Sequence, residues 1–312
     1  MAQHNIGIDI SKDHLDAHDL PDGRSGRFGN SQAGFDSLMG WLPAAEGTDR
    51  LVYEATGPYH AGFERQFAGV YPLVKVNPLQ ARRFAQSRGN RAKTDAVDAR
   101  MLAQMGAALN LAPRQLPSES MRDLKELQIA RSALIKDQTR LRNRLQTQTV
   151  SFVREQSQAR LALVGQQLCD IDAQINARID ADPTQRRAHQ IIRSIPGIGA
   201  VSAAAILIEM PEIGTLNRKQ AASLAGLAPM TRQSGHWTGS AFIQGGRHHL
   251  RHALYMPAIS ALRSNPDLKA KYHALRAAGK PAKLAITALM RKLIVMANEL
   301  VKHDRLWTPK NP

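Results

Sequence analysis

Residues 5–20 read NIGIDISKDHLDAHDL. NIGIDI at 5–10 has the short, β-branched, apolar character of a strand, HLDAHDL at 14–20 reads as a second, and SKD turns the chain between them. Asp9 falls mid-strand, flanked by Ile8 and Ile10. Side chains alternate along a strand, so the two isoleucines point to one face and Asp9 to the other. A carboxylate in so small an apolar run is costly unless something compensates it.

Working outward, PDG at 21–23 is a turn, and a short strand around Gly26–Gly29 completes a meander. Ser31 caps a helix running to Trp41. RLVYEA at 50–55 is a largely apolar, buried fourth strand, and TGPYH then starts a helix with Pro58 near its first turn. PLVKV at 72–76 is a fifth strand, followed by a helix with Asn77 as cap and Pro78 as first residue. A last helix runs from Lys93 to Met105. A meander followed by βα units resembles the element order of the ribonuclease H-like fold. In such a sheet the first and fourth strands are adjacent, which makes Asp9 and Glu54 neighbours.

The last helix carries AKTDAVDARMLA at 92–103. Asp95 and Asp98, three apart, share one helix face and repel each other there. A solvated face is one explanation; a divalent metal is the other. Four converging carboxylates, Asp9, Glu54, Asp95 and Asp98, offer the hard oxygen ligands that Mg²⁺ or Mn²⁺ takes. Two such ions ~4 Å apart clamp the attacking and leaving oxygens of a phosphodiester. Arg91, Lys93 and Arg100 flank the pair and suit a phosphate backbone. Asp13, Asp16 and Asp19 are assigned to a turn and a strand of unsettled facing, and to solvent.

Pro113 and Pro117 mark a break, so residues 1–112 form the first domain. Two helical segments follow, 119–154 and 156–181. Leu127, Leu134 and Leu141 repeat every seven residues in the first; Leu161, Val164, Leu168, Ile171, Ile175 and Arg178 alternate threes and fours in the second. Residues 113–183 thus read as a coiled-coil helical hairpin, closed within the chain or between chains. A mainly helical third domain spans 184–312. Its RSIPGIGAVSAAAILIEM at 193–210 is either a helix-hairpin-helix DNA-binding turn, whose glycines let backbone amides reach a phosphate, or a tight turn between packed helices. A Gly-rich segment at 229–247, PMTRQSGHWTGSAFIQGGR, interrupts the helices. Ser234, between Arg232 and His236, is a loop serine that caps backbone or acts as a nucleophile, with Ser240 as rival. Arg247, His248, His249, Arg251 and His252 form a basic run suited to phosphate contact or to solvent. Trp237 and Tyr255 stack on bases or pack in a core. Lys280, Lys283, Arg291 and Lys292 punctuate an amphipathic apolar helix.

The net charge of +16 over 312 residues implies a polyanion partner, most simply nucleic acid. The charge concentrates in residues 75–100, with seven Lys or Arg against Asp95 and Asp98, and in 213–312, with sixteen against Asp267, Glu299 and Asp304. The single cysteine, Cys169, excludes a disulfide framework within the chain and a cysteine zinc site, and suits a reducing cytosol. The N-terminus lacks a signal-peptide pattern and no apolar run suggests a membrane span.

The segments GIDISKDHLDAH, YEATGPYH, KTDAVDARMLA, IPGIGAVSA, LAGLAPMTRQSG, GGRHHLRHALYMPAISALRSNP and GKPAKLAITALMRKLIVMANEL, in that order, resemble the DEDD-type transposases of the insertion-sequence family numbered one hundred and ten, also called bridge-RNA-guided recombinases. The resemblance runs from residue 5 to about 306, loosely in the central helices. It implies a RuvC-like domain with Asp9, Glu54, Asp95 and Asp98 as a metal-holding tetrad. It also implies a C-terminal transposase domain with Ser234 as nucleophile, joining donor and target DNA through a covalent phosphoserine. A structured guide RNA, a composite site pairing the acidic domain of one subunit with the serine of another, a dimer or tetramer, and a bacterial cytoplasmic, nucleoid-associated location are implied likewise. Gln233 stands where many relatives have an acid, and Ser240 and Gln244 where they often have basic residues. A ribonuclease H-like nuclease or Holliday-junction resolvase using metal-activated water is the alternative, and a non-catalytic nucleic-acid-binding protein a third reading.

Overall fold

The computed structural model describes residues 4–44, 49–55, 57, 59–88, 95–113, 116–235 and 237–309. By packing, the chain forms two compact units, 1–117 and 118–312.

The first unit is built on a five-stranded sheet. β1 (Asn5–Ile10), β2 (His14–Asp19) and β3 (Ser25–Gly29) form an antiparallel meander, and β4 (Arg50–Glu54) and β5 (Leu73–Val76) add in parallel on the other side of β1. The order β3-β2-β1-β4-β5 is consistent with the ribonuclease H-like expectation. Helix α1 (Gln32–Trp41), capped by the Ser31 hydroxyl, and α2 (His60–Phe67) cover one face. There Ile6, Ile8, Ile10, Leu15, Leu51 and Tyr53 form one core with Phe35, Leu38, Phe63 and Phe67. The other face meets α3 (Pro78–Ser87) and α4 (Asp95–Ala108) through Val52, Val74, Val76, Ala81, Met101, Leu102 and Met105. Asn77 caps α3, its Oδ1 accepting from the Leu79 and Gln80 amides at 2.9 and 3.4 Å, with Pro78 at the first position as its sequence implies.

Two glycines decide how closely α4 approaches. A Cβ on Gly7 of β1 would lie 1.9 Å from the Ala99 carbonyl oxygen and 2.5 Å from the Ala103 amide. A Cβ on Gly106 would lie 2.6 Å from Val52 Cγ2. The helix therefore rests with its backbone on the β1 backbone at Gly7 and on the Val52 side chain of β4 at Gly106.

The second unit opens with an antiparallel pair of long helices, α5 (Glu119–Thr147) and α6 (Ser151–Ala181). The chain turns at 148–150, earlier than the 154–156 break read from sequence. The Arg154 guanidinium donates to the Leu145 and Gln148 carbonyls at 3.0 and 2.8 Å, which satisfies the end of α5 and closes the turn. Leu141, Leu168 and Ile175 are buried along the expected seam, and Arg131 forks onto Asp172 across it. Leu124, Ile175 and Ile179 also belong to the core formed with α7 (Pro183–Arg193), α8 (Ala200–Glu209), α9 (Arg218–Leu224), α10 (His248–Ser264), α11 (Pro266–Ala277) and α12 (Ala282–Lys302).

Gly7→Val places a branched side chain where the Ala99 backbone stands. We expect a loss of about 3 kcal/mol of stability, the upper end for overpacking, because backbone cannot rotate away. Urea denaturation of the full chain, followed by the signal of the first unit, checks this.

Candidate active site

β1 and β4 run in parallel with Gly7 opposite Val52 and Ile8 opposite Tyr53. One residue further along this register sets Asp9 beside Glu54. Both belong to the Gly7–Val52 face, the one on which α4 lies. Along α4, Ala99 and Ala103 sit over Gly7, and Gly106 over Val52 and Asn5, so the helix runs opposite to β1. Asp9 lies two residues beyond Gly7, roughly 7 Å along the strand. Four helical residues span about 6 Å, so the same step back from Ala99 reaches Asp95. The first turn of α4, Asp95 to Asp98, thus stands at the level of Asp9 and Glu54. Asp9, Glu54 and Asp98 are each half-buried. Arg91 and Lys93 lie outside the described residues.

The donors brought to this end of the sheet are carboxylate oxygens, the ligand chemistry of Mg²⁺ and Mn²⁺. The residues present therefore fit a hard divalent cation. Arg100, on the same helix, is exposed. It stands near enough to His18 of β2 that, after burial, its charge is the next influence holding that imidazole below its usual pKa.

The sequence assignment of Asp16 and Asp19 to solvent is corrected by the structure. β2 is an inner strand between β1 and β3, and side chains reaching across from those strands and the adjoining turn cover its acids: Asp16 and Asp19 are 7% and 0% exposed. Asp16 is the sheet neighbour of Asp9, and the Arg27 guanidinium grips both its oxygens at 2.9 and 3.0 Å. Asp19 accepts from His4 Nδ1 at 2.9 Å and from Arg24 Nη2 at 3.1 Å. Asp13, at the turn, is exposed as expected. His4, Asp19 and Asp22 place ligand atoms within 4.8 Å of one another. The Arg24 guanidinium contacts both carboxylates, at 3.1 and 3.4 Å, so a cation already occupies that cluster.

On the opposite face a buried network braces β4 beneath Glu54. The Tyr53 hydroxyl donates to Glu64 at 2.5 Å, and Lys75 Nζ donates to Glu64 at 3.0 Å and to His60 Nε2 at 2.7 Å. Burial first, then the Lys75 charge, pushes the His60 pKa down; burial and the Glu64 partnership push Tyr53 up. Sequence reading missed this network. Tyr53 alternates with Glu54 on β4, but its partners come from α2 (His60, Glu64) and β5 (Lys75), and only the fold brings them together.

In the second unit the 229–247 segment builds a β arm. β6 (Pro229–Met230) pairs with β9 (Phe242–Ile243), and β7 (Gln233–Ser234) pairs with β8 (Trp237–Thr238). Ser234 is exposed at the tip, followed by Gly235 at φ +56°. Arg232 is exposed and lies 4.4 Å over the Phe242 ring. At the base of the arm, a Cβ on Gly226 would lie 2.2 Å from the Gly245 oxygen. Arg251 Nη1 donates to the carbonyls of Gly245 and Gly226 at 2.8 and 3.4 Å. Arg247 forks onto Glu212 at 2.6 Å twice and donates to the Glu209 carbonyl at 2.9 Å. These two arginines hold the arm's base, while His248 is exposed with its ring 3.8 Å from that of His249. Two-residue strands among glycines carry no alternation, which is why the sequence reads the segment only as an interruption.

The turn between α7 and α8 also resolves. Gly197 has φ +104°, and a Cβ there would lie 2.8 Å from Ala261 of α10. Close packing demands that glycine. Gly199, at the head of α8, is exposed. Tyr255 is exposed as well.

A sequence model for the DEDD-type transposase domain matches residues 6–152, and a second, described as transposase of the IS116/IS110/IS902 family, matches 189–273. A pilin gene-inverting protein of Moraxella bovis is 31% identical over 98% of both chains. The chain belongs to the IS110 family of transposases. The pilin gene-inverting protein of Moraxella lacunata is likewise 31% identical over 98% of both chains. A protein of insertion element IS110 from Streptomyces coelicolor, itself uncharacterized, is 30% identical over 53% of this chain and 40% of its own. As a transposase of this family, the chain is an enzyme of DNA recombination or transposition, acting on DNA. Among the described residues no helix is long and apolar enough to cross a membrane.

His4 provides a test of the Asp19 cluster. Burial lowers its pKa but is outweighed by the Asp19 hydrogen bond and the charges of Asp19, Asp49 and Asp22, so the net shift is upward from 6.5. A raised folded pKa stabilises fully below the unfolded value and loses that contribution as pH rises through the folded one. Wild type is therefore expected to lose Tm, relative to His4→Gln, as pH rises from about 6 to about 8. Thermal melts of both proteins across that range measure it.

Proposed function

We propose that this transposase recombines DNA by metal-dependent strand transfer, with Asp9, Glu54, Asp95 and Asp98 holding Mg²⁺ or Mn²⁺ and Ser234 as nucleophile. The observation that carries the reading is the register that sets Asp9 beside Glu54 under the first turn of α4. When bound, the metal supplies Lewis-acid stabilisation of the charge that gathers on the scissile phosphate. The four carboxylates fix where that charge is met. Ser234, exposed at the arm's tip, has the access that an attack on a phosphodiester demands. Its Oγ forms a bond to phosphorus, one phosphorus–sugar oxygen bond breaks, and the serine proton ends on the departing sugar hydroxyl. The phosphoserine ester conserves the bond energy for rejoining to a second DNA end. In this reading the tetrad and the serine come from different subunits of a dimer or tetramer.

Arg232, Arg100 and His248, exposed, together with Arg91 and Lys93, are the residues proposed to meet phosphates. Arg247 and Arg251 contribute by holding the arm that presents Ser234. A structured RNA of the element is proposed to choose donor and target, which accords with a net charge of +16. Similarity to pilin gene-inverting proteins over nearly the whole chain supports rearrangement of DNA as the outcome.

The test incubates protein, Mg²⁺, the element's flanking RNA and labelled donor and target DNA, then resolves products on a denaturing gel. Label at protein size is expected in wild type and in Ser240→Ala. Ser234→Ala and Asp9→Asn should each lower the rejoined product on the order of 10³-fold or more. Nicked DNA without adduct, dependent on Asp9 but not on Ser234, replaces this reading with a nuclease that uses water.

A further inference from the structure

The β1–β4 ladder ends at Ile8 and Tyr53. Asp9 and Glu54 stand just past it, each still laddered on its outer side, Asp9 to Asp16 and Glu54 to Val76. β1 continues into the Ser11 turn, and β4 into the segment that leads to α2 at Tyr59 and His60. A metal held between Asp9 and Glu54 would demand a fixed separation, because Mg²⁺ requires near-ideal octahedral geometry. The β1–β4 ladder itself does not extend to this pair. One side chain from elsewhere reaches both departing segments.

We propose that Asn30 is the positioning residue of the carboxylate site, clamping the chain beyond Asp9 to the chain beyond Glu54. Its Nδ2 donates to the Ser11 carbonyl at 2.8 Å and to the Tyr59 carbonyl at 3.2 Å. Ser11 is two residues past Asp9, and Tyr59 five past Glu54. Both neighbours are carbonyl oxygens, so the amide nitrogen, with its two hydrogens, is the atom that must face them. The backbone amide of Asn30 donates to the Asp13 carbonyl at 2.9 Å, which adds a third tie to the same turn.

The clamp is itself anchored. Asn30 lies between Gly29, the last residue of β3, and Ser31, the cap of α1. A Cβ on Gly34 in the first turn of α1 would lie 1.9 Å from the Gly29 carbonyl oxygen, so helix and strand end are in direct backbone contact there. The turn it grips is also stiff: Ser11 Oγ donates to the His14 carbonyl at 2.9 Å and accepts from the His14 amide at 3.0 Å. Asn30 therefore joins rigid pieces, and a shift of one segment is resisted by the other. It touches neither substrate nor metal; it acts through Asp9 and Glu54. The inference rests on the metal-binding reading of those residues.

Asn30→Leu keeps the volume and removes both donors, and Asn30→Ser, should the leucine variant fail to fold, shortens the side chain out of reach of at least one carbonyl. Two readouts are taken on the full chain: Mn²⁺ affinity from the electron paramagnetic resonance of free Mn²⁺, and hydrogen–deuterium exchange without metal. Leu73→Ala, which opens the core on the face opposite α4 and at the end of β5 far from Glu54, controls for lost stability. The expected result is weaker Mn²⁺ binding, by about 10-fold or more as for other residues that orient ligands. Faster exchange confined to residues 10–14 and 59–60 should accompany it, while Leu73→Ala keeps wild-type affinity. Wild-type affinity in Asn30→Leu, unchanged exchange in those segments, or an equal loss in Leu73→Ala each overturns the proposal. Asp9→Asn separates the two claims. If wild type and Asp9→Asn bind Mn²⁺ alike, the metal reading of the site falls and takes the positioning role with it, even where exchange shows that Asn30 ties the segments.

Discussion

The backbone contact between Gly7 and α4 is the constraint on which the first unit depends. With no side chain at Gly7, the Ala99 carbonyl and Ala103 amide settle directly on β1. Gly106, one turn further on, lets the helix close onto the Val52 side chain of β4. A helix held this near at two points has its direction and its depth determined. Its first turn then has one place to be, over the ends of β1 and β4. Any larger residue at Gly7 would lift the helix and carry Asp95 and Asp98 away from Asp9 and Glu54.

The same sheet carries two kinds of buried acid, and the difference between them is chemical. Asp16 and Asp19 have arginine or histidine partners that cancel their charge inside the fold. They serve the sheet. The Asp9 and Glu54 positions lie near the strand ends, half-buried, where the β1–β4 ladder stops and α4 arrives with Asp98 in its first turn. Burial in a low-dielectric interior makes a carboxylate expensive unless it is compensated, and ion pairs do this for Asp16 and Asp19. Several carboxylates gathered at one end of the sheet are the hard oxygen donors that fit a divalent cation.

The second unit sets an exposed β arm on a helical platform. The platform is made rigid by apolar packing among α7 to α12, and the arm's root by three glycines in close backbone contact, with Arg251 bonded across Gly226 and Gly245 and Arg247 tied to Glu209 and Glu212. A serine on such an arm has solvent access without a floppy attachment. Arginines that read as part of a phosphate-binding run are here partly structural, because their planar donors match the carbonyls and the Glu212 carboxylate around the root.

By itself the sequence determined the element order of the first unit, the caps at Ser31 and Asn77, the seam of the α5–α6 hairpin and the acidic residues at issue. These are legible because strand alternation, helical periodicity and capping are local, decided by residues within a turn or two of each other. The family followed from segments in a fixed order along the whole chain. Only the tertiary structure decided that Asp16 and Asp19 are paired and buried, since that depends on which strands flank β2. It alone decided that Gly7 admits a helix, that Gly197 admits α10, that Asn30 reaches Ser11 and Tyr59, and that Arg247 and Arg251 face inward. Each of these is a meeting of residues far apart in sequence. Short strands such as those of the arm carry too few residues to leave a pattern, and only their pairing reveals them.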